Sequence, residues 1–441
     1  MAILDWLGPR GPLSRSAAAL GVGALTIAAV LTTTVAGPAA ADAVTDTVTV
    51  GANPWAVAVS GDRAYVTNTG SNTVSVIDTA ATPPAVIDTI AVGGQPIGVA
   101  VSGDRAYVTN AGAGTVSVID TAATPPTVID TVTVDAFPYG VAVSGTRAYV
   151  ANQAGGTVSV IDTAATPPAV IDTVTVDAQP YGVAISGTRV YVTNQGAGTV
   201  SVIDTAANPP TVTDTVTVGT APYGVAVSGT RAYVANGGSG TVSVIDTAAT
   251  PPAVIDTITV GTRPVGVAVS GTRAYVANGG SGTVSVIDTA ATPPAVIDTI
   301  TVGTRPAVVA ISGTRAYATN AGDDTVSVIA IDHAPTLTGT PPAGTVGQPY
   351  NYEFTVTGRP APTATVTTGT LPDGLTLTPE GVLSGTPTTG GRFEFMLTGS
   401  NGIGEPVALP VVLDIDDTTP SATGSLGSLG LLGSFESFVT P

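Results

Sequence analysis

The side chains that most often carry catalysis are nearly missing from this 441-residue chain. It has one histidine, His333, and neither cysteine nor lysine. A histidine-built metal site, a haem with protein axial ligands, a cysteine nucleophile and a serine–histidine–aspartate relay therefore all lack parts. Carboxylates remain, but they recur in register. Asp78, Asp120, Asp162, Asp204, Asp246 and Asp288 stand 42 residues apart, as do Asp46, Asp88, Asp130, Asp172, Asp214, Asp256 and Asp298. A residue that returns in every repeat belongs to the scaffold, whereas a catalytic site in a repeat array draws on only some copies. No catalytic residue, metal site or cofactor is assigned, and the chain reads as a non-enzyme.

The chemistry that does break the repetition is that of binding. Seven prolines, Pro54, Pro96, Pro138, Pro180, Pro222, Pro264 and Pro306, are followed by Trp55, Ile97, Tyr139, Tyr181, Tyr223, Val265 and Ala307. They are preceded by Asn53, Gln95, Phe137, Gln179, Ala221, Arg263 and Arg305. Aromatic rings give large contact area at low entropy cost, and arginine grips a carboxylate or sulfate with two donors. Trp55, Tyr139, Tyr181, Tyr223, Arg263 and Arg305 are accordingly the candidate ligand-binding residues, suited to an acidic glycan or a partner's acidic loop. The competing reading makes the same side chains a plug.

Those positions must be held by a repeated element. "RAYVTN" at Arg63 returns with small changes at Arg105, Arg147, Arg189, Arg231, Arg273 and Arg315, always 42 residues on. A period of that length marks a solenoid, propeller or array. Within one unit, "AVAVSG", "RAYVTN", "TVSVID" and "AVIDTIAV" are four short β-type runs separated by Gly, Asn and Pro signals. They carry apolar residues on both faces, so each small sheet must stack between neighbours. The seventh unit stops at Asp332 without its fourth run, while "VTDTVTV" (44–50) supplies a spare one at the other end. That circular offset predicts that the N-terminal strand completes the last sheet. Joining ends about 290 residues apart costs about 5 kcal/mol, and burying Val44, Val48 and Val50 returns roughly 1.5–3 kcal/mol each. The tyrosines of the repeat (Tyr65 and its equivalents) read as packing between sheets, the asparagines (Asn68 and Asn110) as turn residues bonding backbone. Arg63 and Asp78, at one rim, are expected to form a ring of exposed ion pairs.

Seven Y-V-[TA]-N units with a G-x-x-P lead-in and a V-x-V-I-D strand resemble the YVTN-type β-propeller repeat over residues 44–332. The resemblance implies a closed seven-bladed ring. It leaves activity open, since similar rings serve as surface-layer proteins, lactonase- and lyase-like enzymes, and cofactor-binding dehydrogenases. Downstream, residues 333–415 carry "LPDGLTL" and "GVLSGTP" and resemble a bacterial Ig-like module of cadherin-like form, expected to be a β-sandwich. Asp414, Asp416 and Asp417 are acidic enough for calcium in such a module, or form a solvated acidic surface.

The fold class is therefore all-β. Residues 1–41, with Arg10 and Arg15 ahead of an apolar run and a small-residue end, read as a secretory signal cleaved after Ala41; an uncleaved anchor is the alternative. Residues 42–332 are the propeller, 333–415 the Ig-like sandwich and 416–441 a flexible Gly/Ser/Leu-rich tail. No later run is apolar and long enough to span a bilayer. With 31 acids against 13 bases and a formal charge of −18, a nucleic-acid partner is excluded, because phosphate binding needs clustered cations. The expectation is a monomeric, secreted or cell-surface binding or adhesion protein whose partner is an extracellular protein or glycan. A purely structural envelope protein comes second, and a propeller lyase or lactonase third.

Overall fold

The computed structural model describes residues 42–403 and 405–417, and no helix occurs among them. Residues 1–41, where the secretory signal is expected, and 418–441, in the expected tail, lie outside the described residues.

The first complete sheet runs Pro54–Ser60, Arg63–Asn68, Thr73–Asp78 and Ala85–Ala91, antiparallel and in chain order. Five more such sheets begin at Pro96, Pro138, Pro180, Pro222 and Pro264. The seventh contains Pro306–Ser312, Arg315–Asn320 and Thr325–Ala330, and its outer strand is Ala43–Thr49 from the opposite end of the sequence. Val48 faces Val326 and Val44 faces Ile329 across that pairing. The spare N-terminal run thus occupies the place the seventh repeat leaves vacant.

Burial follows composition. The second and third strands of each sheet are buried along almost their whole length, while the outer strand alternates between exposed and covered. Tyr65 and its equivalents are buried between neighbouring sheets; Tyr65 packs with Ala106, Val108 and Ile119 of the next one. The seventh and first sheets meet in the same manner, with Tyr317, Val326 and Val328 against Val57, Ala64, Val66 and Ile77. Strands buried on both faces need such stacking to keep their apolar side chains from water.

Two polar devices tie neighbouring sheets together at most of the junctions. Thr67 Oγ1 accepts from Ala56 N (3.0 Å) within its own sheet and donates to Ile97 O (2.7 Å) in the following one. Thr109 reaches Tyr139 O (2.6 Å), Thr193 reaches Tyr223 O (2.5 Å), and Thr319 spans from the last sheet to Trp55 O (2.7 Å) in the first. The equivalent residue is alanine at 151, 235 and 277. The second device corrects the expected Arg–Asp ring. Arg63 and Asp78 are cross-strand neighbours, but Arg63 Nη1 donates to Thr121 O of the next sheet at 2.9 Å. Arg105, Arg189, Arg231 and Arg315 do likewise, the last to Thr79 O. Asp78 instead accepts from Ala80 N and Ala81 N in its own turn. The carboxylate is consumed locally, so the long guanidinium finds the neighbouring sheet's carbonyl.

The asparagines also differ from expectation. Asn68 Nδ2 donates to the hydroxyls of Thr73 and Ser75 rather than to backbone, and the pattern repeats around the ring. Asn68 is fully buried, where a short amide can brace the strand-to-strand turn from inside.

Where the seventh repeat ends, Arg273 meets carboxylates instead of a carbonyl: Asp42 at 3.3 Å and Asp332 at 3.2 Å. Asp42 also accepts from Asp332 N (2.6 Å) and the Tyr275 hydroxyl (3.2 Å). Burial raises the Asp42 carboxyl above its ordinary range, with the Asp332 charge adding to the shift and the Asp332 amide, Arg273 and Tyr275 opposing it. Asp332 also lies 3.6 Å from Arg359 of the C-terminal sandwich.

In that sandwich, Thr363–Gly369, Gly391–Ser400 and Val407–Asp416 form an antiparallel sheet, and Gly344–Thr345 pairs parallel to its last strand. Phe354, Leu383, Leu397 and Leu413 fill the core. Asp416, read from sequence as the first tail residue, belongs to the last strand, because Thr345 pairs with it. Asp414 lies 3.6 Å from Arg392.

Candidate ligand-binding mouth

Each proline loop is clipped to the loop joining the second and third strands of its own sheet. Thr69 N donates to Asn53 O (3.0 Å) and Gly70 N to Ala52 O (2.9 Å). The residue before every proline is left-handed, with φ of 53° at Asn53, 53° at Gln95, 54° at Phe137, 57° at Gln179, 48° at Ala221, 51° at Arg263 and 53° at Arg305. Glycine adopts that conformation most cheaply, and other residues give up about 1–2 kcal/mol. Yet none of the seven is glycine. The backbone is uniform while the side chain is free to vary, and Phe137, Arg263 and Arg305 project into solvent.

Beyond the proline the first strand slips register. Pro54 pairs with Asn68, but the next pair is Val57 with Val66, so Trp55 and Ala56 form a bulge. The following position is Gly98, Gly140, Gly182, Gly224 or Gly266 in the middle five sheets, and a Cβ there would strike the next sheet's carbonyl, Tyr139 O in the case of Gly98. Close approach of the inner strands therefore brings the residues after the prolines together around the ring axis.

The result is a cavity of about 170 Å³ walled by the first strands of all seven sheets, including Trp55, Ile97, Tyr139, Tyr181, Val265 and Val308. Its walls reach from the residue after the proline only as far as Val57, Val99 and their equivalents, which puts it at the proline-loop end. Tyr139 and Tyr181 pack with centroids 4.7 Å apart at 44°, and Tyr181 and Tyr223 4.9 Å apart at 77°. Burial pushes the Tyr139 and Tyr181 hydroxyls above their ordinary values; at Tyr181 a hydrogen bond with Trp55 and the charge of Arg263 oppose the shift without cancelling it. Both phenols are neutral donors at physiological pH.

Beside the cavity lies a much smaller groove, of about 20 Å³, lined by Trp55, Arg263, Val265, Gly279, Arg305 and Ala321 among others. Trp55 and Val265 belong to both depressions and divide them. The expected set is thus brought together with one change of role. Trp55, Tyr139 and Tyr181 line the cavity, and Arg263 and Arg305 share the groove with Trp55. Tyr223 lines neither; it backs Tyr181 and lies over Gly237, where a Cβ would collide with its ring.

Sequence reasoning passed over the residue after each repeat asparagine: Thr69, Ala111, Gln153, Gln195, Gly237, Gly279 and Ala321. Gln153 donates to Gln195 (3.1 Å), which donates to the Tyr223 hydroxyl (3.1 Å), filling that side of the mouth. Gly279 and Ala321 leave the groove open between the arginines. The signal was available, since these positions also vary at the 42-residue period.

Arginine placement sharpens the site. Seven of the 13 arginines open the second strands, Arg10 and Arg15 fall within residues 1–41, and Arg359 and Arg392 of the sandwich lie near carboxylates. Arg263 and Arg305 remain, and neither forms an ion pair among the described residues.

Residues 334–416 match the He_PIG family model, described as "Putative Ig domain". No curated protein sequence matches the chain. Among solved structures, hydrazine synthase of Kuenenia stuttgartiensis is similar with a TM-score of 0.56 at 21% identity, covering 63% of this chain and 95% of that one. Virginiamycin B lyase from Staphylococcus aureus gives 0.55 at 12% identity, covering 65% and 98%. A catalytically inactive histidine-to-alanine form of that lyase, solved with quinupristin, gives 0.54 at 14%, covering 63% and 95%. These likenesses carry the fold alone. The chain is a β-propeller protein with a C-terminal Ig-like domain.

Proposed function

We propose that this protein is a non-catalytic binding or adhesion protein of the cell exterior, with a ring of the YVTN type, and that its ligand is taken at the proline-loop mouth. The observation that carries the reading is the pairing of two exposed arginines, free of carboxylate partners among the described residues, with Trp55 around one groove. In a chain of charge −18, cations outside the structural arginine positions mark where an anion is welcome. Their left-handed backbone adds weight, since side chains are kept there at a conformational cost. Against catalysis stands the composition of the ring. The lyase neighbour has a catalytically inactive form in which a histidine is replaced, whereas His333, the one histidine of this chain, follows the last ring strand.

A glycan and metabolite array on the purified protein tests the proposal. Changing Arg263 and Arg305 together to Ala is expected to leave the melting temperature within about 1–2 °C, since exposed charges contribute little, and to abolish binding of any anionic ligand the array finds. Equal binding by the double variant moves the function elsewhere, to the Ig-like domain first. A purely structural envelope role is the second reading. It is favoured by the unchanged stretch shared by Ser228–Pro264 and Ser270–Pro306, which suits a scaffold, and an array with no ligand at all would favour it.

A further inference from the structure

Resting on the binding reading above, we infer that the mouth selects a small amphipathic anion: one apolar ring or short alkyl segment in the axial cavity, joined to a carboxylate or sulfonate in the arginine groove. Two depressions share a wall, and only the second has charged side chains on its lining. The axial cavity is bounded mainly by valine, isoleucine, tryptophan, tyrosine and glycine. Its volume of about 170 Å³ is close to that of cavities of about 150 Å³ known to hold benzene. It is too small for a sugar chain or a peptide loop, so what enters must be compact. The groove contributes charge instead, with Arg263 and Arg305 both on its lining. Trp55 and Val265 stand between the two, so a molecule seated in the cavity has the groove as its next neighbour.

The rest of the mouth closes off alternatives. On the opposite side Gln153, Gln195 and the Tyr223 hydroxyl are linked to one another by hydrogen bonds. Acidic side chains near the loops are engaged as well. Asp324 accepts from Asn53 N (2.7 Å), Asp135 from Thr157 (2.9 Å) and Asp177 from Thr199 (2.7 Å). Asp323 accepts from Thr304 N and Oγ1, which lowers its carboxyl below the ordinary range and keeps it ionised. Asp135 and Asp177 stand at the third and fourth sheets, away from the arginines, whereas Asp323 and Asp324 are bonded beside Arg305 and Trp55. An anion is therefore drawn to the two guanidiniums themselves rather than to that side of the rim as a whole. The neutral Tyr139 and Tyr181 hydroxyls discourage a cation in the cavity no more than an apolar ring, but they supply no negative charge to hold one.

Calorimetric titration of the full chain with phenylacetate, phenylacetamide and acetate separates the parts. Phenylacetate is expected to bind at least tenfold more tightly than either of the others. Arg263→Ala with Arg305→Ala should bring phenylacetate down to the level of phenylacetamide. Ile97→Trp, which fills the cavity from its wall, should bring phenylacetate down to the level of acetate while leaving acetate unchanged. Because the larger ring adds volume beside the inner strand, the variant's melt is measured alongside, and Ile97→Phe serves if it fails to fold. Equal affinity for phenylacetate and phenylacetamide overturns the anionic half, and equal affinity for phenylacetate and acetate overturns the apolar half. In both cases binding at the mouth survives. If neither phenylacetate nor alkyl carboxylates up to octanoate bind, the inference falls entirely. The broader reading then stands only if an array ligand is lost in the double arginine variant.

Discussion

Replacing Thr319 with Ala tests how the ring holds together, because this hydroxyl spans from the last sheet to the first. It accepts from Val308 N at 3.1 Å and donates to Trp55 O at 2.7 Å. Its removal leaves both backbone groups without that partner, and a buried unsatisfied group costs about 1–3 kcal/mol. Alanine already occupies the equivalent positions 151, 235 and 277, so the fold has a way to bear the loss and the lower end applies, about 1–2 kcal/mol. At roughly 2–4 °C per kcal/mol for domains of this order, the melt should fall by about 2–8 °C. The reverse change gives the sharper test. Ala277→Thr should gain about 1 kcal/mol by reaching the carbonyl of Ala307, as Thr109 and Thr193 reach Tyr139 and Tyr223 in sheets that also carry glycine on the inner strand. Differential scanning calorimetry of the two variants and wild type decides. A Thr319→Ala melt equal to wild type, together with an Ala277→Thr melt below it, would falsify the view that these hydroxyls join the sheets.

Deleting Asp42–Val50 should strip the outer strand from Thr325–Ala330 and bare an apolar edge, lowering the melt by more than 10 °C and giving concentration-dependent association in light scattering; a monomer with an unchanged melt would count against the N-terminal strand as a clasp. Asp42→Asn tests the buried carboxyl. Because burial raises its folded value, the unfolded chain ionises first as pH rises, so this group's contribution is fully present below the unfolded value and is lost as pH climbs through the folded one. Wild type should therefore lose stability relative to Asp42→Asn as pH rises above the ordinary carboxylate value of about 4, measured as the difference in melting temperature; a difference that stays flat or grows in favour of wild type would contradict the assignment.

Much of the architecture can be read along the chain because its signals are local. Alternating Val, Ile and Thr with Gly, Asn and Pro between them specify short strands and tight turns, and the 42-residue period counts the sheets. Even the circular offset is one-dimensional, since it needs only the match of "VTDTVTV" to "VIDTIAV". The identity of the varied positions after each proline was legible for the same reason. Other assignments depend on what lies across a sheet-to-sheet gap. Arg63 and Asp78 look like partners because they end adjacent strands, but the guanidinium passes to Thr121, 58 residues ahead. No spacing rule announces that reach, which depends on how closely neighbouring sheets stack. Tyr223 reads like Tyr139 and Tyr181, yet only the placement of Gly237 and Tyr181 around it turns its ring from the cavity wall to a backing position. The shared wall of cavity and groove is likewise invisible in any one repeat. It joins Trp55 of the first sheet to Val265 and Arg263 of the sixth and Arg305 of the seventh, residues that become neighbours because the inner strands converge on one axis and the N-terminal strand pairs into the last sheet.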